Sequence, residues 1–513
     1  MPPVRADLDP GRVTMRRLNS TEYNNTVRDL LGTSLRPAEA FPPDEVSDGF
    51  NTIGSTLAIP PSRMESYESA AQSLVDELFA LPATDARRKS VLSCSLDAGQ
   101  EEACGQKILT SLMRGAFRRP TDAAEVGRFA QLAKSVRGLG ATATDGLKAA
   151  MRAVLIAPQF VFRIEKDSAP GSGSANLVSD HELATRLSYF LWASMPDQEL
   201  FTEADAGHLT QQPGALTQQL DRMLLDVKAA SLAESFAAQW LSLPVLATKL
   251  PSVAAFPDYD AMLLSSAATE TKQFFQELLK NDAPVESLLS ADFSDIDARL
   301  GKHYGIQVSG QDFVHTSLSG TPRLGILGQA SFLIGTSHPD RTSPVKRGAW
   351  VLTNLLCSRP PPPPQMVPEL ITPAPGGGTT LRQQLEAHRA SPQCSSCHNL
   401  MDPIGLALEN FDAVGTYRTT DNGSPVDATG QLADGTPLDD AASLSRAVAS
   451  DADYPICVAK HVLTFAVGRS FSAPAATAYA AGLGLQMKDA SWPDFLRAVI
   501  KSEAFLTRRG EAI

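Results

Sequence analysis

Six cysteines fall into two kinds in this chain, and that division constrains its architecture more than any other feature. Two stand in Cys394-Ser395-Ser396-Cys397-His398; the other four, Cys94, Cys104, Cys357 and Cys457, are scattered singly. C-x-x-C-H is the spacing at which two thiols bond the vinyl groups of a haem while the next imidazole ligates its iron, so residues 394–398 point to one covalent haem c. Two other chemistries use paired cysteines: a redox dithiol expects a βαβ setting, and a zinc site expects a second ligand pair at similar spacing. Neither context occurs, since the chain holds no second C-x-x-C and no H-x-x-x-H. Covalent haem is the leading reading and a structural zinc site the alternative.

Cys94 and Cys104 bracket a short polar loop between apolar segments, as a local disulfide would, which leaves Cys357 and Cys457 to pair. Closing a loop of roughly 100 residues would stabilise the fold by about 4–5 kcal/mol in the chain-entropy model. Two thioethers and two disulfides would use every cysteine and imply an oxidising, exported setting; four buried free thiols are the plainer alternative. The start, Met1-Pro2-Pro3-Val4-Arg5, has no apolar core of a signal peptide, so the expectation is a periplasmic or cell-surface protein whose targeting segment has been removed.

With 43% hydrophobic and 20% charged residues, 513 positions can build several cores, and no run of about 18 apolar residues predicts a membrane span. A net charge of −12 argues against a nucleic-acid partner, which needs a basic face to meet phosphates.

Helical periodicity dominates the first two-thirds. Asn19-x-x-Glu22 reads as a helix start, Tyr23, Val27, Leu30 and Leu31 repeat at helical spacing, and Gly32 fits a C-terminal stop. The pattern recurs from Ile108 to Phe117, stopped by Arg118-Arg119-Pro120, and from Leu183 to Leu191 behind Ser179-x-x-Glu182. Further helices are expected over Ala229–Leu241 and Ala267–Leu279. The predicted fold is mainly α: a multi-domain helical body plus a C-terminal helical cytochrome c-like module with a small β-hairpin excursion.

Composition marks the boundaries. Asp167–Ala175 is rich in Ser, Gly and Ala, and Pro360–Pro364 predicts an extended polyproline II piece of about 16 Å, followed by Gly376-Gly377-Gly378. The expected modules are 1–85, helical; 86–166, helical with the Cys94–Cys104 bridge; 176–358, a central helical domain; 359–378, a Pro/Gly linker; and 379–513, the haem module. Within the last, Thr380–Arg389 reads as a helix, Asp402-Pro403-Ile404-Gly405 as a turn, and Leu406–Phe411 as a second helix. Asn422-Gly423 and Asp434-Gly435 signal the hairpin, after which Leu444–Val448, Val458–Val467 and Phe495–Phe505 look helical. Asp421, Asp427 and Asp434 lack the spacing of a calcium loop and read as turn residues.

The sixth ligand of the iron separates an electron carrier from a catalyst. Met401 lies three residues from His398 and should fall on its side of the porphyrin, so the candidates are His388, ranked first, then His461 and Met487, with an empty position as the remaining option. Arg418 or Arg389 could pair with a haem propionate, since a guanidinium binds a carboxylate bidentately. Tyr417 and Trp492 could pack on the porphyrin edge, with core packing the plainer role for both.

The order of blocks resembles the planctomycete- and myxobacteria-type multi-domain cytochrome c proteins built from domains of unknown function. The resemblance is carried by Arg16-Arg17-Leu18, by Glu22–Gly32, by Ala116-Phe117-Arg118-Arg119-Pro120 and by Glu182–Trp192. It continues through Arg341–Gly348, the proline run, His388-Arg389 with the haem motif, Met401–Asp412, and Phe465-Ala466-Val467-Gly468-Arg469. It implies export, lipid anchoring or surface association, and redox activity, and it adds weight to His388; it assigns no substrate.

Three functions remain. The first is a mono-haem cytochrome passing electrons to or from a redox partner protein or small molecule. The second is a haem enzyme of peroxidase or oxygenase type with an open iron, for which His338, His315 and Asp340 are candidate proton-transfer groups. The third is a non-catalytic surface binding or scaffold protein, to which an aromatic content of 6% lends little support.

Overall fold

Capping chemistry fixes where the helices begin and end. Asn19 Oδ1 accepts the Glu22 N–H at 2.8 Å while Glu22 Oε2 accepts the Asn19 N–H at 3.1 Å, so two of the end's unpaired donors are satisfied and Ser20–Leu31 starts there. Gly32 ends it at φ +68°, a conformation that costs glycine little. Ser179 and Glu182 cap Asp180–Trp192 in the same way. The computed structural model describes residues 15–96, 99–167, 169, 174–310, 312–361, 380–389 and 392–509, and it is mainly α, as the periodicity predicts.

The chain forms two units. The first takes in residues up to Ser235 with Val462–Thr477 and the segment from Arg497 onward; the second takes in Phe236–His461 and Ala478–Leu496.

In the first unit, Ser20–Leu31, Pro61–Ala80, Glu101–Phe117 and Ala143–Ile156 enclose a core that includes Tyr23, Tyr67, Leu109, Met113, Met151 and Phe160. The Cys94–Cys104 disulfide staples its edge. Arg118, at φ +57°, stops its helix as expected, and its guanidinium donates to the carbonyls of Gln159, Phe160 and Phe162 at 2.6–3.0 Å. Residues 168 and 170–173 of the expected 167–175 linker lie outside the described residues, and Ala175 begins a strand: Ala175–Leu177 pairs antiparallel with Thr507–Arg509. Buried Arg186 fastens the same C-terminal segment: its Nη1 donates to the carbonyls of Phe505 and Thr507, while its Nε and Nη2 bind Glu165.

The second unit is built around Ala261–Lys280, which starts six residues before the expected 267 because Asp260 caps it through the Leu263 N–H. Trp240, Phe275 and Trp492 form an aromatic cluster with centroids 5.0–6.1 Å apart, so Trp492 is a core residue. Beneath the hairpin of Phe293–Ile296 and Val314–Ser317, buried Glu270 accepts hydrogen bonds from Ser294 Oγ at 3.0 Å and Tyr304 Oη at 2.6 Å; the Arg323 guanidinium lies 3.6 Å over the Tyr304 ring. Cys357 and Cys457 form the second expected disulfide.

Several expectations need correction. The helical stretch 230–240 carries a π-turn at Ala233–Ala237, which the apolar spacing did not reveal. Asp402-Pro403-Ile404-Gly405 is no turn: one helix runs from Pro392 to Leu406 through it, and residues 407–410 form turns where a helix was expected. Pro403 removes one N–H, but packing outweighs that loss. A Cβ on Gly348 would meet the Met401 carbonyl oxygen at 1.9 Å, and one on Gly405 the Pro344 carbonyl oxygen at 1.9 Å, so Pro344–Asn354 and Pro392–Leu406 touch backbone to backbone. The excursion holds two hairpins, Thr420–Asp421 with Ser424–Pro425 and Gly430–Gln431 with Pro437–Leu438. Ala441–Ser450 and Asp453–Val467 extend the expected helices, 495–505 divides into Trp492–Ile500 and Glu503–Leu506, and Pro474–Gln486 is an unforeseen helix. The polyproline stretch from residue 362 lies outside the described residues.

Candidate functional site

Because Pro392–Leu406 is one continuous helix, Cys394, Cys397 and His398 stand at i, i+3 and i+4 and share a face. Asp402, four residues further, takes its place beside His398: imidazole Nδ1 lies 3.0 Å from Oδ1 and 3.2 Å from Oδ2. The Asp402 side chain is fully buried and that of His398 is 15% exposed, with Arg389 Nε 3.8 Å from Asp402 Oδ2. An imidazole held through Nδ1–H by a carboxylate has a fixed tautomer, presents Nε2 for ligation and gains basicity. A carboxylate buried on a helix is otherwise costly, so its pairing here is informative about the histidine. Sequence spacing could have revealed it, since His398-x-x-x-Asp402 is an i,i+4 pair.

Cys394 and Cys397 are half-buried and free of disulfides, whereas the other four cysteines are bridged. Two unlinked thiols and a carboxylate-oriented imidazole on one helical face match the donor set that covalent haem requires. Among the described residues, the two groups of three metal-capable side chains are Cys357/Cys457/His461 and Glu277/Asp295/His315, and neither draws on the motif. In the first, both sulfurs are spent on the disulfide.

The turns after the motif helix are clamped from the neighbouring one. Buried Arg347 donates to the carbonyls of Leu408, Phe411 and Asp412 at 2.7–2.8 Å, and Thr342 Oγ1 donates to Glu409 Oε2 at 2.8 Å. Arg418 joins them: its Nη2 donates to the Glu409 carboxylate at 2.8 Å, its Nη1 to Asp421 at 2.9 Å and its Nε to the Glu409 backbone carbonyl at 3.0 Å, so all three nitrogens are spent on the protein. Burial, the dominant influence, raises the Glu409 pKa despite these cations.

Of the other candidates, His388 belongs to the helix Leu381–Arg389, but its side chain lies outside the described residues. His461 sits against the disulfide, Nε2 3.8 Å from Cys357 Sγ and its ring 5.8 Å from Trp240, and desolvation pushes its pKa down to about 3, so it is neutral. Met487 follows the end of Pro474–Gln486, its N–H donating to the Gly484 carbonyl. Tyr417 is exposed and packs edge-on against Phe411. His315 pairs with Glu277 at 2.7 Å, and His338 with Lys346 at 3.3 Å.

The first unit has a separate cavity of about 570 Å³, bordered by Arg119, Gln159, Lys166, His181, Glu182 and Thr185. That volume suits a small ligand. Three of its ionic groups are already engaged: Arg119 binds Glu125 at 2.6 and 2.9 Å, His181 meets Asp205 at 2.9 Å, and Glu182 accepts backbone N–H groups.

Comparison with known families places four matches along the chain. Residues 16–80 match the model PSD3, protein of unknown function (DUF1587), and residues 104–165 match PSD5, protein of unknown function (DUF1595). Residues 178–306 match PSD4, protein of unknown function (DUF1592), and residues 323–421 match PSCyt3, protein of unknown function (DUF1588). These are domains of the planctomycete-type multi-domain cytochrome c proteins, and PSCyt3, whose match contains residues 394–398, bears a cytochrome-type name. No curated protein and no solved structure matches the chain.

Proposed function

We propose that this chain is an exported mono-haem c-type cytochrome, a redox protein that exchanges electrons with a partner protein or small molecule. The observation that carries the reading is the single helical face on which two unbridged thiols, Cys394 and Cys397, accompany an imidazole bonded to the buried carboxylate of Asp402. The thiols would hold the porphyrin through thioethers and His398 Nε2 would ligate the iron. Bound there, haem supplies reversible one-electron chemistry. Asp402 orients the imidazole and accepts its Nδ1 proton in a hydrogen bond, Arg389 tempers the buried negative charge, and the Gly348 and Gly405 contacts hold the helix in place. Two disulfides support an oxidising compartment, and among the described residues no helix is long and apolar enough to cross a membrane.

Produced with export and c-type maturation machinery, the protein is expected to carry haem that survives denaturation, and Cys394→Ala/Cys397→Ala is expected to abolish that attachment. Wild-type protein without covalent haem under those conditions would sink the proposal. A second reading, a haem-dependent oxidoreductase with an open distal position, is favoured by the same Asp402, because a carboxylate-bonded proximal imidazole stabilises ferric iron. Carbon monoxide separates them: prompt binding to the reduced protein selects the catalyst, and an unmoved spectrum selects the six-coordinate carrier.

A further inference from the structure

In the second unit, far along the sequence from the motif, Lys249, His338 and Lys346 line a cavity of about 220 Å³. Val245, Leu250 and Ile334 supply an apolar wall. Lys249 Nζ donates to the Ser337 carbonyl at 2.8 Å, Lys346 Nζ approaches His338 Nδ1 at 3.3 Å, and the Arg341 carbonyl accepts the His338 N–H at 2.9 Å, bringing a fourth basic residue to the rim.

One carboxylate, Asp340, acts on this cluster and opposes the downward pKa shift at His338, but among the described residues it forms no ion pair with these cations. Among the described residues, neither lysine nor Arg341 takes part in an ion pair, although the chain as a whole is acidic with net charge −12. Desolvation first, then the charges of Lys346 and Arg341, push the His338 pKa down to about 4, so this ring is neutral and can accept from Lys346. Lys346 is also pushed down, by desolvation and then by Lys249 and Arg341. It stands in the first turn of Pro344–Asn354, where the helix dipole already disfavours a cation. Three like charges beside a single carboxylate, gathered on a concave wall against a helix N-terminus, leave a positive excess that a bound anion would relieve.

We propose that this cavity binds a small organic anion bearing a phosphate or sulfate group, its anionic head held by Lys249 and Lys346 and its carbon skeleton resting on Val245, Leu250 and Ile334. The cavity is smaller than the roughly 300–1,000 Å³ of drug-sized pockets, and at about 30 Å³ per water it displaces some seven waters, so the ligand is fragment-sized. Lysine meets such a head as a point charge with three donors, of which Lys249 has committed one to the protein.

The test is calorimetric titration of the full chain, at low ionic strength, with inorganic phosphate, inorganic sulfate and acetate. Saturable one-to-one binding of phosphate or sulfate, weakened about tenfold or more in Lys249→Gln and in Lys346→Gln by loss of a charge-assisted hydrogen bond, is the expected result; acetate should bind more weakly, and the preferred tetrahedral anion names the ester. Lys488→Gln, the same charge change at an exposed site, should leave affinity unaltered. Absence of saturable binding by either tetrahedral anion, or equal affinity in wild type and both cavity variants, overturns the proposal. A second readout is independent of titration: in anion-free buffer Lys346→Gln should raise the unfolding temperature by relieving repulsion, and phosphate should erase that gain. A fall in unfolding temperature in anion-free buffer would count against the proposal.

Discussion

Replacing Glu270 with glutamine should change how the stability of the second unit depends on pH. Its carboxyl is completely enclosed, and desolvation, the largest influence, pushes its pKa from 4.5 up to about 7 against the opposing effects of Tyr304, Ser294 and Arg323. A raised acid favours the folded state while protonated. Its contribution is present in full below the unfolded pKa near 4.5 and is lost as pH climbs through the folded value near 7, because the unfolded chain releases the proton first. A rise from 4.5 to about 7, at about 1.36 kcal/mol for each pKa unit, makes that loss roughly 3 kcal/mol. The amide of Glu270→Gln has no proton to release in this range, and it can still meet Tyr304 and Ser294. Urea unfolding of wild type and Glu270→Gln across about pH 4.5 to 8 measures the effect, with all other titrating groups cancelling in the difference. The variant should gain on wild type by about 3 kcal/mol from the acid end to the alkaline end. A difference that stays flat within about 1 kcal/mol would refute the reasoning, since it would mean that Glu270 ionises in the folded protein as it does in the unfolded chain.

Gly348→Ala places a methyl group within 1.9 Å of the Met401 carbonyl oxygen, so it should cost about 1–3 kcal/mol or more and reduce covalent haem yield. Gly482→Ala, in a helix and with nothing within 4 Å, should stabilise by about 0.4–1 kcal/mol; chemical denaturation compares the two. In haem-loaded protein, Asp402→Asn should shift the midpoint potential upward, because an amide accepts from Nδ1–H less strongly than a carboxylate and leaves the imidazole less basic. Spectroelectrochemical titration reads this, and an unchanged potential would separate Asp402 from the iron.

What was legible in the sequence was local. Capping pairs such as Asn19/Glu22 and Ser179/Glu182, the cysteine partners and the Asn422-Gly423 turn are decided by residues a few positions apart or by elimination, and the structure has each. Pro403 misled because its local preference against helix is overridden by close backbone contact at Gly348 and Gly405, which only the fold reveals. Pro474–Gln486 escaped notice because its alanines and glycines trace no apolar stripe. The motif itself was plain, yet its carboxylate support was not, since Asp402 reads as a turn residue until Pro403 is known to be helical. The basic cavity joins Lys249 to residues about ninety positions later, a distance across which one sequence offers no signal.

The pairing of Thr507–Arg509 with Ala175–Leu177, reinforced by Arg186, has a consequence for biosynthesis. At about 5–20 residues per second, the ribosome needs roughly 15–55 s after finishing residue 235 before it delivers the strand that completes the first unit. Through that interval the edge at Ala175–Leu177 lacks its partner and Arg186 lacks the two carbonyls that it binds. Closure of the first unit therefore waits on its last-made strand, and until residues 507–509 have emerged the earlier part of the unit stays incomplete.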